Sequence, residues 1–283
     1  MERRWVKAAE WPEVILERLE GAGVARIVLN KPEKHNSITQ AIIDGVAEAL
    51  DIIRAEHELK VVIMKGAGPS FSSGLNLQFL RSQSEGYLSA QDWDRQNPAV
   101  AMIESIRKFP RIMIAQVHGY CLGGALALAN MHDLIVAGET AQFGMPELIR
   151  GSFGQAATST LFHAGLPLKK ASLIALTCKN VSGTEADRLG LVSLVVPDAV
   201  LEERTTALAQ DISERNLAAL QHHKIAVQMG VDLSVEAALR IDALVGARQS
   251  LYVDPVKHVE EYLTSQKKEP SGAAENPPTN VKK

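Results

Sequence analysis

Three segments of the chain combine residue types and spacings suited to chemistry on a polarised oxygen. The first is Val117-His118-Gly119-Tyr120-Cys121-Leu122-Gly123-Gly124-Ala125-Leu126-Ala127. It reads as a strand end, a glycine turn and a helix start. The first N–H groups of a helix have no acceptor within it, so they are free to hold an anion or an oxyanion. The glycines let a ligand approach the backbone closely. A second glycine turn, Pro69-Ser70-Phe71-Ser72-Ser73-Gly74-Leu75-Asn76-Leu77, also follows an apolar run. Two such turns can give two N–H donors to one oxygen, the arrangement that stabilises an enolate. The third segment is Phe143-Gly144-Met145-Pro146-Glu147-Leu148-Ile149-Arg150-Gly151. Glu147 lies between a proline and an apolar pair, and partial burial there would raise its pKa toward the range useful for proton transfer. Taken singly, each has a plainer reading: a strand–helix turn, a loop, a surface glutamate.

The elements that must position these residues are legible in outline. Val14–Leu19 and Val24–Leu29 flank a glycine turn and predict a hairpin. Asn36-Ser37 is expected to open a helix carrying Ile42, Ile43, Val46, Ala49, Leu50 and Ile53. Lys60–Gly66, Ile112–Val117 and Leu134–Ala137 read as buried strands, with a helix from about Ala125. Strand and helix alternate through the first two thirds of the chain, which predicts an α/β protein. From about Gln155 the pattern turns helical, with 201–212, 217–228 and 235–245 at helical apolar spacing and 191–196 as one short strand. The expected division is a core over 1–200, a helical region over 201–265 and a disordered polar tail over 266–283.

Composition narrows the function classes. Apolar residues make up 46% and charged residues 22% of the 283, as in a soluble globular protein. Thirty basic against 33 acidic residues and only 5% aromatics argue against a nucleic-acid or anionic-membrane binder. Two cysteines, Cys121 and Cys178, make neither a disulfide framework nor a zinc site, and both are expected to be small buried hydrophobes. No apolar stretch follows Met1-Glu2-Arg3-Arg4, so a cytoplasmic location is expected. His118, His132 and His163 are read as structural.

The order of motifs resembles the crotonase (enoyl-CoA hydratase/isomerase) superfamily. The resemblance rests on Leu29-Asn30-Lys31-Pro32 before Asn36-Ser37, then 71–77, His118–Gly124, Phe143–Glu147 and Ser182–Val192, and it covers about 14–263. It implies a spiral of ββα units followed by helices that build a trimer, or a hexamer from two trimers. It implies an acyl-CoA thioester as ligand and no separate cofactor or metal. It implies an oxyanion hole from the N–H groups of Leu75 and Gly124. It places coenzyme A contacts at Lys34, Asn36, Ser73, Gly74, Leu77 and Gly123, with Lys31 a further phosphate candidate. Tyr262, Lys267 and Lys268 are candidates from the C-terminal helix. The segment 82–100, with Asp92, Trp93, Asp94 and Arg95, is expected to shape the acyl pocket.

One departure matters for the reaction. A hydratase of this superfamily carries two glutamates; Glu147 matches the second, and Ala127 stands where the first would be. Hydration needs a carboxylate to activate water while another group handles the α-proton. One glutamate suffices to carry a proton from carbon to carbon across an enolate. The expectation is therefore an enoyl-CoA isomerase with Glu147 as acid and base. A specialised hydratase, lyase or hydrolase is the alternative, with Ser152 and Gln155 either serving the substrate or capping the following helix. The dienoyl isomerase pattern fits poorly, since its extra aspartate falls near Gln155. A non-catalytic scaffold or RNA-binding role is the remaining class.

Overall fold

The computed structural model describes residues 3–86 and 97–266. The expectations for Asp92, Trp93, Asp94 and Arg95, for Lys267 and Lys268 and for the tail lie outside the described residues. The chain divides into two compact units, Met1–Ile225 and Ala226–Lys283.

In the first unit a hairpin-and-crossover pattern builds one large sheet. β1 (Trp5–Trp11), β2 (Val14–Leu19) and β3 (Val24–Leu29) form an antiparallel meander. After α1 (Gln40–Ala55), β4 (Val61–Gly66) lies parallel to β3. α2 (Leu77–Gly86) and α3 (Pro98–Lys108) lead to β5 (Ile112–Val117), again parallel. β6 (Tyr120–Leu122) and α4 (Gly124–Asn130) come before β7 (Leu134–Gly138), and β8 (Gln142–Gly144) comes after it. α5 (Ala157–His163), α6 (Leu168–Thr177), β9 (Val181–Ser182), α7 (Gly183–Leu189) and β10 (Leu194–Val196) follow. The large sheet has the order β1-β2-β3-β4-β5-β7-β10, and β6-β8-β9 form a second, smaller sheet. α8 (Leu201–Ser213) and the start of α9 (Leu217–Gly230) complete the unit.

Period-two alternation sorts the large sheet's side chains. Ile27, Leu29, Val62 and Met64 enter the main core with Ile42, Val46 and Leu50 of α1. Val24, Val61 and Ile63 face the other way, onto Leu201 and Ala209 of α8. Each large-sheet strand from β3 to β7 is followed by an extended piece of the smaller layer and then a helix. These pieces are Ile38, 72–75, β6 and β8, joined by the bridges Ile38–Leu75 and Ser72–Cys121 and by the β6–β8 ladder. The chain thus winds as the ββα spiral that the resemblance implies.

Several local expectations shift. His35 and Asn36 are left-handed, at φ 48° and 51°, so no helix can open there. α1 starts instead behind Thr39, whose hydroxyl accepts from the Ile42 N–H at 3.3 Å. β1 carries no strand signal of its own; it is an exposed edge strand with mixed residues. Cys121 is buried, and its thiol is pushed up by desolvation, but Cys178 is only half-buried and ends α6 at φ 53°.

A buried ion pair ties α9 to the sheet's end. Lys224 Nζ donates to Asp133 Oδ2 at 2.7 Å and to the Arg111 carbonyl at 2.9 Å. The Met113 N–H donates to the same Oδ2 at 2.8 Å. Both side chains are largely buried. Lys224→Ala removes the buried cation from the Asp133 carboxylate and is expected to cost about 3–5 kcal/mol in urea unfolding. Adding Asp133→Asn should recover part of that loss, because the buried negative charge is then gone.

The second unit comprises the rest of α9, α10 (Val235–Gln249) and α11 (Pro255–Gln266) among the described residues. α10 has no buried residue, and its Val235, Leu239 and Leu244 are 71%, 62% and 67% exposed. No helix of the described residues is long and apolar enough to cross a membrane.

Candidate active site

The smaller sheet brings the two glycine turns together. The Ile38 N–H donates to the Gly74 carbonyl at 2.8 Å, and the Asn76 N–H to the Ile38 carbonyl at 2.9 Å. Those bonds use the groups on either side of Leu75, so the Leu75 N–H points away from Ile38. One rung along, the Ser72 N–H donates to the Tyr120 carbonyl and the Leu122 N–H to the Ser72 carbonyl. The Gly123 N–H donates to the Gly144 carbonyl at 2.9 Å. Gly124 opens α4, so its N–H has no acceptor in the helix. Gly74 sits at φ 92°, where a Cβ would stand 2.5 Å from the Leu122 carbonyl oxygen and 3.4 Å from the Gly124 nitrogen. A Cβ on Gly124 would in turn meet Leu75 Cγ at 2.9 Å. The loops therefore touch beside the two backbone donors that the resemblance implies.

Glu147 stands against the same corner. Pro146 leads into a 3-10 turn over Glu147–Arg150. A Cβ on Gly123 would fall 2.1 Å from Glu147 Oε1, and one on Gly154 would fall 3.5 Å from its Cδ. Only residues without a Cβ, or with little else, leave the carboxyl this room. Oε2 is buried and has no hydrogen-bond partner. Burial raises the Glu147 pKa, opposed by a bond from its own backbone N–H and by the nearby Arg150 charge. A buried acceptor left unsatisfied is costly, and such groups concentrate at functional sites.

Two hollows flank this corner. An inner cavity of about 130 Å³ is lined by Leu75, Gly124 and Glu147 together with Asn97, Ser152 and Gln155. An outer one of about 370 Å³ is lined by Lys34, His35, Asn76 and Tyr120. Ser73, Leu75, Leu77 and Arg150 line both. Among the described residues no cluster of three or more His, Cys, Asp or Glu is placed to hold a metal.

Most of the expected site residues gather here. Leu75, Gly124 and Glu147 meet at the inner cavity with Gly74 and Gly123; Ser73 and Leu77 span both cavities, and Lys34 lines the outer one. Asn36 does not belong among the ligand contacts. It is fully buried, its Oδ1 accepts from the Lys31 N–H at 2.8 Å, and its Nδ2 donates to the Ala67 and Ser70 carbonyls at 2.8 and 2.7 Å. Its amide is spent on fastening loops. Lys31 is engaged by Glu13. Tyr262 lies on α11 in the second unit, and its side chain is outside the described residues.

The structural reading of the histidines agrees with their surroundings. His118 Nε2 bonds the Gly68 carbonyl at 2.8 Å, burial pushes His132 down to about 4, and neither they nor His163 lines either cavity. Ser152 and Gln155 line the inner cavity rather than cap α5, whose N-cap is Ala156 with no side-chain bond. The Ser152 hydroxyl donates to the Glu147 carbonyl at 3.0 Å. Arg150, Asn97, His35 and Tyr120 escape the sequence reading. The signal for Arg150 is its place three residues after Glu147, one 3-10 turn on, where side chains eclipse. For Asn97 the signal is the Asn-Pro pair; its Oδ1 accepts from the Ala99 N–H at 2.9 Å and caps α3. His35 packs edge-on against Tyr120 with centroids 5.5 Å apart.

Comparison with known proteins agrees with this architecture. The family model described as enoyl-CoA hydratase/isomerase matches residues 20–257. A probable enoyl-CoA hydratase of Rhizobium meliloti is 31% identical over 235 residues, covering 81% of this chain and 87% of the relative. A probable mitochondrial enoyl-CoA hydratase of Dictyostelium discoideum is 29% identical over 222 residues, with 77% of each chain covered. Among solved structures, human enoyl Coenzyme A hydratase domain-containing protein 3 superposes with a TM-score of 0.81 at 26% identity, over 92% of this chain and 100% of that one. An enoyl-CoA hydratase of Mycobacterium smegmatis gives 0.81 at 23% identity, over 90% and 97%, a likeness of fold. The chain belongs to the enoyl-CoA hydratase/isomerase family, a family of acyl-CoA enzymes.

Gly123→Ala is the sharpest probe of the corner. Residue 123 sits at φ 54°, and the new methyl would displace the flexible end of Glu147 rather than any backbone. The variant is expected to fold with a modest loss of stability, near 1–3 kcal/mol. Turnover of enoyl-CoA should fall by about 100-fold or more through the shifted carboxylate. Thermal melting and steady-state kinetics read the two effects separately.

Proposed function

We propose that this protein is an enoyl-CoA isomerase in which Glu147 carries one proton between two carbons of a CoA-bound enolate. The observation that carries the reading is the composition of the inner cavity. Among the described residues that line it, Glu147 alone is acidic, and its Oε2 is unpartnered. Ala127, at the place of a hydratase's other glutamate, is fully buried and does not line the cavity.

The reaction runs as follows. The thioester carbonyl of a 3-enoyl-CoA accepts from the Leu75 and Gly124 N–H groups. Ionised Glu147 takes a proton from C2, the electrons spread over the dienolate, and the oxygen's gain of negative charge strengthens both N–H bonds. Protonated Glu147 then returns the proton to C4, giving the 2-enoyl-CoA with no net change in atoms. The outer hollow suits the CoA portion, with Lys34 as a phosphate partner and Ser73 and Leu77 along the pantetheine.

Hydration is the second reading, favoured by the names of the relatives and by Ser152, Asn97 and Gln155, which could hold a water. The two are separated by supplying a 3-enoyl-CoA and a 2-enoyl-CoA side by side and resolving products by mass and retention time. Conversion of the 3-enoyl to the 2-enoyl compound without a gain of 18 mass units, water adding about one oxygen and two hydrogens, supports isomerisation. Water addition to the 2-enoyl compound overturns it.

Two further outcomes follow from Glu147. Glu147→Gln removes the proton carrier and should lower kcat by about 10²–10⁴-fold with unchanged folding. Its burial gives the pH sign: the base must be ionised, so the acid limb of kcat/KM should lie above the ordinary glutamate range. The limb should vanish from the residual activity of Glu147→Gln.

A homotrimer, or a hexamer of two trimers, is part of the same proposal. Its support is the set of exposed apolar side chains on α10, Val235, Leu239 and Leu244. Light scattering at micromolar protein should give a mass three or six times that of the chain, and a clean monomer overturns this part.

A further inference from the structure

We propose that the acyl group is short and ends in a carboxylate, which Arg150 recognises; the proposal rests on the acyl-CoA reading of the site. Arg150 follows Glu147 by three residues in a 3-10 turn, so the two side chains leave the same face of that turn. Its guanidinium has no hydrogen-bond or ion-pair partner among the described residues. It makes no hydrogen bond or ion pair to Glu147, although its charge acts on that carboxyl. The guanidinium's donors are therefore available to a ligand in the cavity that Arg150 lines.

The rest of the inner cavity points the same way. Ligand pockets are mostly apolar, with a few placed polar groups that set specificity. Here those groups are Asn97, Ser152, Gln155 and Arg150, set in a mainly apolar wall with Leu75, Leu77, Leu80 and Phe153. The Asn97 oxygen is occupied by the α3 cap, which leaves its amide hydrogens as donors. An alkyl end offers nothing to these donors; a carboxylate accepts from all of them, and bidentately from Arg150. The volume, about 130 Å³, is small beside the roughly 300–1,000 Å³ of most ligand pockets. With the thioester carbonyl at the Leu75 and Gly124 N–H groups, the acyl chain lies in the cavity whose wall includes Arg150. The ligand class is a CoA monothioester of a short dicarboxylic acid.

Calorimetric titration with CoA, butyryl-CoA and succinyl-CoA tests this without turnover, since the last two differ only in replacing a methyl by a carboxylate. The parent protein should bind succinyl-CoA at least about tenfold more tightly than butyryl-CoA. Arg150→Gln should bring that ratio close to one, and Arg150→Lys should leave it intermediate. Arg150 is exposed, so both variants are expected to fold, as thermal melting would verify. Equal or tighter binding of butyryl-CoA by the parent overturns the proposal. So does an equal weakening of all three ligands in Arg150→Gln, which would make Arg150 a contact of the CoA phosphates. If none of the three binds the parent, the acyl-CoA reading itself fails, and this proposal with it.

Discussion

The structure depends on the register of a small sheet rather than on any catalytic side chain. Leu75 bridges Ile38, Ser72 bridges Cys121, and β6 pairs with β8. Each rung comes from a different turn of the spiral, so segments far apart in the chain are fixed a strand's width from one another. Two neighbouring backbone donors without partners would be an expensive arrangement in a loop, since each unpaired N–H seeks a partner. Here the neighbouring groups are already used: Gly74 and Asn76 by Ile38, Gly123 by Gly144. The bonds around each donor hold it where its own bond is unmade. The helix start at Gly124 adds the positive end of α4 to this corner.

The second constraint is steric. Gly74 and Gly123 adopt backbone angles that other residues rarely reach, and at both a Cβ would strike a functional neighbour. At Gly74 that neighbour is the opposite loop; at Gly123 it is the Glu147 carboxyl. Missing side chains therefore do two things at once: they let the turn form, and they open the space the carboxyl needs. The carboxyl then loses water without gaining a partner for Oε2, which is why its proton is held more tightly than in solution. Arg150 opposes that shift without cancelling it. Proton affinity at this corner is a balance between an emptied space and a neighbouring charge.

The strands and the site were legible for different reasons. β5 and the Gly-Gly turn are written in apolar runs and glycines, which report burial and backbone freedom directly. Leu75 came from the family resemblance rather than from its side chain, since a backbone donor leaves no mark on residue type. β1 was hidden because an exposed edge strand need not alternate. Asn36 misleads for a related reason: an amide beside a binding motif reads as a ligand contact, and only the fold reveals that three backbone groups consume it. Arg150 was hard to read because its one signal, the three-residue spacing from Glu147, counts only once the segment is known to be a 3-10 turn, which leaves no apolar period.

Ala127 connects the packing to the chemistry. All seven residues of α4 are buried, so this helix is held on every side. A glutamate at 127 would need either a cavity to project into or a partner for its charge, and burying an unpaired carboxylate costs far more than a methyl. With alanine there, α4 closes on its neighbours, and the space beside Gly124 is left to one carboxyl. Water activation and α-proton handling would then compete for the same group. A proton shuttle of the kind proposed would have no such conflict, because one acid that accepts and then gives a proton completes it. Alanine at 127 suits the close packing of α4 and leaves Glu147 as the one acidic side chain lining the inner cavity among the described residues.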